Sequence, residues 1–173
     1  MRQEVIWDKS VRAKRQSAGD RATRTHENIF MFTKQRRYFY NPDQIREPHK
    51  SAVDYRYSTN PMGRNPESVV RIQTDSYRGR HTATFPPELV RRMLLPSCDD
   101  NAVVLDPFGG AGTTAMVALQ LGFSAITIDI NPDYTEEARD RIARAAVTYP
   151  MDDDEDLAPD DGDTTSDTAL AAD

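Results

Sequence analysis

The stretch A-V-V-L-D-P-F-G-G-A-G-T-T-A-M-V-A-L-Q-L-G, residues 102–122, decides the fold. Ala102 to Leu105 is a continuous apolar run, which predicts a strand covered on both faces, as in a parallel sheet. Asp106 to Gly112 reads as a turn, because three of its last four residues are glycine. Thr113 to Leu121 reads as a helix that Gly122 stops. Just downstream, S-A-I-T-I-D (124–129) reads as a second strand. Pro132 to Ala146 follows as a helix with acids early and arginines late, as the helix dipole favours. Strand, turn, helix, strand and helix in this order predict an α/β unit built on parallel strands.

Upstream, P-E-L-V-R-R-M-L-L (87–95) carries apolar Leu89, Val90, Met93 and Leu94 at helical period. Pro87 suits its first turn and Pro96 is expected to end it. Glu4 to Asp8 is a strand candidate. Residues 9–26 hold six Lys/Arg and almost nothing apolar, so they read as a loop. Ile29–Phe32 and Tyr38–Tyr40 flank a polar turn and predict a hairpin with each other. Residues 41–80, rich in Arg and Pro, read as irregular. No internal repeat is visible.

The chain has 173 residues, 38% of them hydrophobic and 29% charged, with a mean hydropathy of −0.71. No apolar run approaches the roughly 18 residues of a membrane span, and no signal-peptide pattern opens the chain. Cys98 stands alone, and no Cys/His cluster has zinc spacing. A soluble cytoplasmic protein without membrane or metal is expected. The net charge of −6 conceals an asymmetry: residues 1–95 carry +9, residues 96–150 carry −5, and residues 151–173 hold ten acids and no base. The basic portion suits a polyanion, although a solvated Arg-rich loop set explains the charge equally well. The acidic tail has too little apolar surface to offset ordering entropy, and disorder is expected there.

The glycine loop carries the chemistry. Gly109, Gly110 and Gly112 stand where a strand turns into a helix, and glycine there permits positive φ and close approach. Ligands of such sheets bind beyond the carboxyl ends of the strands. Asp129 closes the next strand, placed to accept from ribose hydroxyls. G-A-G-T-T-A (110–115) also fits the dinucleotide pattern G-x-G-x-x-G/A, so a nicotinamide or flavin enzyme is an alternative. Such turns also occur with no ligand at all. Asp106, immediately before the loop, separates these readings. A carboxylate repels a pyrophosphate and attracts a cationic amino-acid moiety. S-adenosylmethionine, with ribose hydroxyls, an ammonium and a sulfonium, ranks first.

H-T-A-T-F-P-P-E-L-V (81–90), L-D-P-F-G-G-A-G-T-T (105–114) and I-T-I-D-I-N-P-D-Y (126–134) resemble three ordered motifs of the DNA amino-methyltransferases, which methylate adenine N6 or cytosine N4. The order is similar to that of the circularly permuted β group. I-W-D-K-S (6–10), T-H-E-N-I-F-M-F-T-K (25–34) and Y-F-Y-N-P-D-Q-I-R-E-P (38–48) also resemble that group, so the likeness covers about residues 4–146.

The resemblance implies a Rossmann-like S-adenosylmethionine-dependent methyltransferase fold and double-stranded DNA as partner. It implies that Asp106, Phe108, Gly109, Gly110 and Gly112 shape the cofactor pocket. Thr113 would lie near the methionine carboxylate, Asp129 at the ribose, Ile130 and Asn131 near adenine. Thr84, Phe85 and Pro86 would line the methionine end, and His26 and Glu27 would face the target base. Arg12, Lys14, Arg15, Arg21, Arg24, Arg78 and Arg80 would meet DNA. Tyr55, Tyr57 and Tyr77, among Arg56 and its neighbours, suit base stacking. The corresponding division is 1–48 for the first strand, basic loop and hairpin, 49–80 for a short target-recognition-like loop, 81–149 for the cofactor-binding unit, and 150–173 for the tail.

One family element is missing from the sequence. The amine to be methylated is held by an S/N/D-P-P-Y/F/W loop whose aromatic ring stacks on the flipped base. The only Pro-Pro here is Pro86-Pro87, between Phe85 and Glu88. No catalytic residue is therefore assigned. The fold is expected to be incomplete, lacking a central and an edge strand. Three outcomes are open: a second polypeptide supplies the missing half, the chain self-associates, or it is a truncation or begins upstream. A non-catalytic cofactor- or DNA-binding subunit is the alternative function.

Overall fold

The computed structural model describes residues 1–9, 19–50, 60–74 and 84–148. In chain order the elements are β1 (Gln3–Asp8), β2 (His26–Met31), a 3-10 turn (Pro42–Ile45), β3 (Val69–Arg71), α1 (Pro87–Ser97), β4 (Val103–Asp106), α2 (Thr113–Gln120), β5 (Ser124–Thr127) and α3 (Pro132–Thr148).

The β4–α2–β5–α3 unit is the one the glycine-rich stretch predicts. β4 and β5 run parallel, with Leu105 opposite Ile126 and Asp106 opposite Thr127. Gly122 takes φ +80° just past α2, a left-handed conformation that suits glycine and turns the chain into β5. The first helix differs slightly from expectation. Pro96 does not end α1 but lies inside its last turn, and the helix closes at Ser97 with the Cys98 N–H donating to the Leu94 carbonyl at 3.0 Å.

The other sheet has the order β2-β1-β3. β1 pairs antiparallel with β2, Gln3 opposite Met31 and Asp8 opposite His26. It pairs parallel with β3, Ile6 opposite Val69 and Asp8 opposite Arg71. This corrects the expected hairpin. The Ile29 run pairs with β1, and Tyr38–Tyr40 form no strand. Both edges of β1 are occupied, so the later aromatic run has no place on that strand. β3, within the stretch read as irregular, is a second correction.

Helix α1 joins two apolar clusters. Leu89 packs with Trp7 and Val70, against Val5, Ile29 and Ile72. Val90, one position on, packs with Met116 and Val117, against Leu94, Leu121, Ile142 and Ala145. The Trp7 indole is buried and its Nε1–H donates to the Ile72 carbonyl at 2.7 Å, so its polar atom is satisfied.

The expectation that β4 is covered on both faces is corrected. Val104 and Asp106 are half-buried, whereas Val103 and Leu105 are exposed. The apolar run does report a strand of parallel type; among the described residues only one of its faces meets helices. No helix among them is long and apolar enough to cross a membrane. The acidic tail lies outside the described residues.

Candidate functional site

The turn after β4 is tied down by two carboxylates. Asp106 Oδ1 accepts the Phe108 N–H at 3.0 Å. Asp129, two residues past β5, accepts the Gly110 N–H on Oδ2 and the Asn131 N–H on Oδ1, each at 2.8 Å. Backbone bonds reinforce the closure: Ile128 N–H donates to the Asp106 carbonyl at 2.9 Å, and Gly109 N–H to the Ile128 carbonyl at 2.8 Å. The two turns that follow the parallel strands are thus laced together at the carboxyl ends of those strands.

Two of the glycines answer to neighbours inside the protein. A Cβ on Gly109 would stand 1.8 Å from Thr127 Oγ1, a distance no packing tolerates. Gly112 has φ +73°, and a Cβ there would lie 2.9 Å from the Ala138 Cβ of α3. These glycines let β5 and α3 close on the loop. Gly110, at φ +49°, aims its amide at Asp129.

Thr113 is buried at the first position of α2, and its hydroxyl accepts from Arg141 at 2.8 Å. The same guanidinium nitrogen donates to the Ala111 carbonyl at 3.1 Å. Arg141 was not legible as a loop-holding residue, because it stands in the charged run E-E-A-R-D-R, which reads as a solvated helix face. Asn131 caps α3 by accepting the Asp133 N–H on its side chain at 3.0 Å. Phe108 and Ile130 are 87% and 100% exposed, leaving apolar groups on both turns facing outward. Thr84, Phe85 and Pro86 lead into α1, with Phe85 exposed and Pro86 buried.

A hollow of about 380 Å³ lies beside the loop, lined by Gly110, Thr127, Asp129, Thr135, Ala138 and Arg139 among others. Asp106 is not in its lining. A second cavity, of about 540 Å³, lies between the β1–β2 sheet and α1 and shares no residue with the loop. Tyr40 lines it, and burial pushes the Tyr40 phenol above its ordinary pKa, with Tyr38 adding to the shift and Arg92 opposing it.

At the other sheet, His26 and Glu27 are exposed at the start of β2. Glu27 pairs with Lys9, whose ammonium lies 5.2 Å from the centre of the Trp7 ring. Arg24 donates to the His26 carbonyl at 3.1 Å and to Asn28 at 3.4 Å. Arg21 is exposed and lies 3.6 Å from Asp20. Arg12, Lys14, Arg15, Arg78 and Arg80, with Tyr55, Arg56, Tyr57 and Tyr77, lie outside the described residues. No group of three potential metal ligands occurs among the described residues.

The family described as DNA methylase matches residues 1–140. The chain belongs to the DNA methylase family. It is 37% identical over 142 residues to the type II methyltransferase M.XycI of Xanthomonas campestris pv. cyanopsidis, covering 82% of this chain and 44% of that relative. It therefore spans less than half the length of that methyltransferase. Among solved structures it resembles the PvuII cytosine-N4-specific DNA methyltransferase, with a TM-score of 0.59, 16% identity, and coverage of 88% of this chain and 52% of that one. At that identity the likeness shows the fold, which is the α/β fold of DNA methyltransferases. A Thermus thermophilus protein held to be a DNA modification methylase, solved with S-adenosyl-L-methionine, superposes with a TM-score of 0.50 at 27% identity, covering 82% of this chain and 52% of that one. The resemblance carried by the ordered motifs thus agrees with the family to which the chain belongs.

Proposed function

We propose that this chain is the S-adenosylmethionine-binding and DNA-facing portion of a site-specific type II DNA methyltransferase acting on adenine N6 or cytosine N4. The observation that carries the reading is the pair of carboxylates on one loop, Asp106 at the Phe108 amide and Asp129 at the Gly110 amide. A pyrophosphate seeks bare amides and would here meet two negative charges, which disfavours a dinucleotide. A cationic methionine moiety and hydroxyl donors meet the opposite situation. A carboxylate offers about four acceptor positions, so Asp129 can hold its two amides and still accept from ribose. Phe108 and Ile130 supply apolar surface on which adenine can lie. Gly109 and Gly112 keep the loop closed on β5 and α3, and Thr113, fixed by Arg141, anchors the start of α2. The α2 N-terminus lacks a side-chain cap, which suits a carboxylate at its first amides.

S-adenosylmethionine supplies an activated methyl group on sulfur. The task of the protein is to hold the amine in line with that methyl, an effect of proximity and orientation. The S/N/D-P-P-aromatic tetrapeptide that holds the amine in the family does not occur among these 173 residues. We infer that a segment outside these 173 residues supplies it. The basic side of the chain, with Arg24 beside His26 and Arg21 upstream of it, faces DNA.

Calorimetry on the full chain tests the cofactor reading. S-adenosylhomocysteine should bind and NAD should not; tight NAD binding without S-adenosylhomocysteine binding overturns it. The chain by itself should transfer no labelled methyl group to duplex DNA, and incorporation would show that no second segment is needed.

A further inference from the structure

Arg141 reaches the glycine loop from α3, the helix that follows the second parallel strand. One guanidinium nitrogen donates to the Ala111 carbonyl at 3.1 Å and to the Thr113 hydroxyl at 2.8 Å. These two acceptors stand on either side of Gly112, whose φ of +73° turns the loop into α2. The loop is held at another point by Asp129, which accepts the Gly110 N–H. The two contacts act on different stretches. An anion past β5 fixes the middle of the loop, and a cation on α3 fixes its junction with α2.

Thr113 carries an unmet donor. A hydroxyl has one proton and two lone pairs. Arg141 occupies a lone pair, so the proton has to go to some other acceptor. None takes it among the described residues, although Thr113 is only 4% exposed. Buried polar groups in folded proteins are nearly always matched. The first amides of α2 beside it have no side-chain cap. An unmatched buried hydroxyl proton next to uncapped helix amides suits a carboxylate.

We propose that Arg141 is a positioning residue for the amino-acid end of S-adenosylmethionine. By fixing Ala111 and Thr113 it turns the Thr113 hydroxyl proton and the first α2 amides toward the methionine carboxylate. Asp129 governs the nucleoside end. Arg141 acts through Thr113 and touches no reacting atom. This role rests on the cofactor reading; the two contacts of Arg141 do not.

The test is calorimetry on the full chain with two ligands. S-adenosylhomocysteine carries the amino-acid end. Methylthioadenosine keeps adenine, the ribose hydroxyls and the sulfur but lacks that end. Arg141→Met should weaken S-adenosylhomocysteine at least about tenfold and methylthioadenosine by less than about twofold, since a hydrogen bond to a charged group is lost for one ligand only. Arg141→Lys keeps a charge and donors and should recover part of the loss. Thr113→Ser should bind both ligands as the parent does. Thr113→Val should match Arg141→Met, and the double variant should lose no more than either alone, as for residues that act as one unit. Should Arg141→Met fail to fold, the Thr113→Ser and Thr113→Val pair reads the same contrast. Asp129→Asn should weaken both ligands, because both present ribose hydroxyls. Arg144→Met, whose parent guanidinium donates to the Asp140 carbonyl of its own helix, should alter neither. Equal losses for the two ligands, or an unchanged S-adenosylhomocysteine affinity in Arg141→Met, overturn the proposal and leave Arg141 a brace of the fold. A parent chain that holds methylthioadenosine as tightly as S-adenosylhomocysteine overturns it too. A parent chain that binds neither overturns the cofactor reading, and this role falls with it.

Discussion

Asp129 Oδ2 lies 2.8 Å from the Gly110 amide nitrogen, so the acid that closes the second parallel strand holds the glycine loop of the first. The same carboxylate takes the Asn131 N–H on its other oxygen and thereby fixes the entry to α3. One side chain therefore sets the distance between the two turns that would flank a nucleoside.

Asp129→Asn separates the structural from the ligand role. An amide keeps one acceptor and turns an NH₂ toward the second backbone N–H, leaving one donor unmatched. Losing a charge-assisted bond and stranding that donor should destabilise the chain by about 1–3 kcal/mol. Urea unfolding should register this with no ligand present. Affinity for S-adenosylhomocysteine should fall at least tenfold, read by calorimetry at a temperature where the variant is fully folded. Unchanged affinity there would leave Asp129 as a loop brace and nothing more.

Gly109→Ala should be destabilising for a steric reason alone, since its φ is not in the left-handed region. The added methyl would overlap Thr127 Oγ1, and such overpacking costs about 1–3 kcal/mol. Thr127→Ala removes the colliding hydroxyl, so the double variant should recover part of the loss, a coupling that a double-mutant cycle reads. Gly112→Ala behaves differently. Its φ of +73° strains any side chain, so trimming Ala138 to Gly should recover less.

Much of this unit was legible from local pattern. Leu89, Val90, Met93 and Leu94 announce α1 by their period, and the glycines announce the turn after β4. What those glycines accommodate was not legible, because Thr127 and Ala138 are brought to them only by the closed βαβα fold. β3 escaped for a related reason. Val69-Val70-Arg71 is too short to show a period, and it is made a strand by pairing with Ile6-Trp7-Asp8, more than sixty positions earlier. Tyr38–Tyr40 misled in the opposite sense: aromatic content signals burial or pairing, and here Tyr38 instead meets the Arg2 guanidinium 5.2 Å from its ring centre. The run A-V-V-L correctly predicts a parallel strand, but no local pattern states that only one of its faces is covered among the described residues. Thr113 was legible as the start of α2, whereas its partner Arg141 was not.

Glu47 ties three segments together. Its carboxylate pairs with Arg64 and with Arg92 of α1, and all three side chains are less than a quarter exposed. Glu47→Gln keeps the shape but removes the charge that two guanidinium groups share. It should lower stability by about 1–3 kcal/mol, since Arg92 loses the carboxylate it pairs with, while Arg64 keeps Glu67 at 3.0 Å. A drop in the urea midpoint that 0.5 M salt does not erase is the expected signature, because sheltered pairs are screened little.

Cys98 should be a slow thiol. Burial, aided by the neighbouring Asp99, pushes its pKa above the ordinary thiol value. A raised pKa means less thiolate at pH 8, and only the thiolate reacts. Iodoacetamide should therefore modify the folded chain more slowly than the same chain in urea, and the folded rate should still be climbing at pH 9. A folded rate equal to the unfolded one would mean that the thiol feels neither burial nor Asp99.

The DNA-facing proposal makes a graded claim about three arginines: Arg24 and Arg71, at the end of the β1 sheet where His26 and Asp8 pair, and Arg21 upstream of β2. Arg24 is held by the His26 carbonyl and Asn28, neutral acceptors that leave its charge available to phosphate. Arg71 lies 3.4 Å from Asp8, which already balances it. Arg21 lies near Asp20 with both side chains about three-quarters exposed, a pair too solvated to hold the cation. Each phosphate neutralised contributes about 0.9 to the slope of log affinity against log salt. Arg24→Ala and Arg21→Ala should each flatten that slope by about one unit of phosphate contact, and Arg71→Ala by less than half as much. Fluorescence anisotropy on a short duplex across 50–200 mM salt reads all three variants. Equal effects at Arg24 and Arg71 would show that local pairing does not decide which cations meet the backbone, and no effect at Arg21 and Arg24 would move the DNA face elsewhere on the chain.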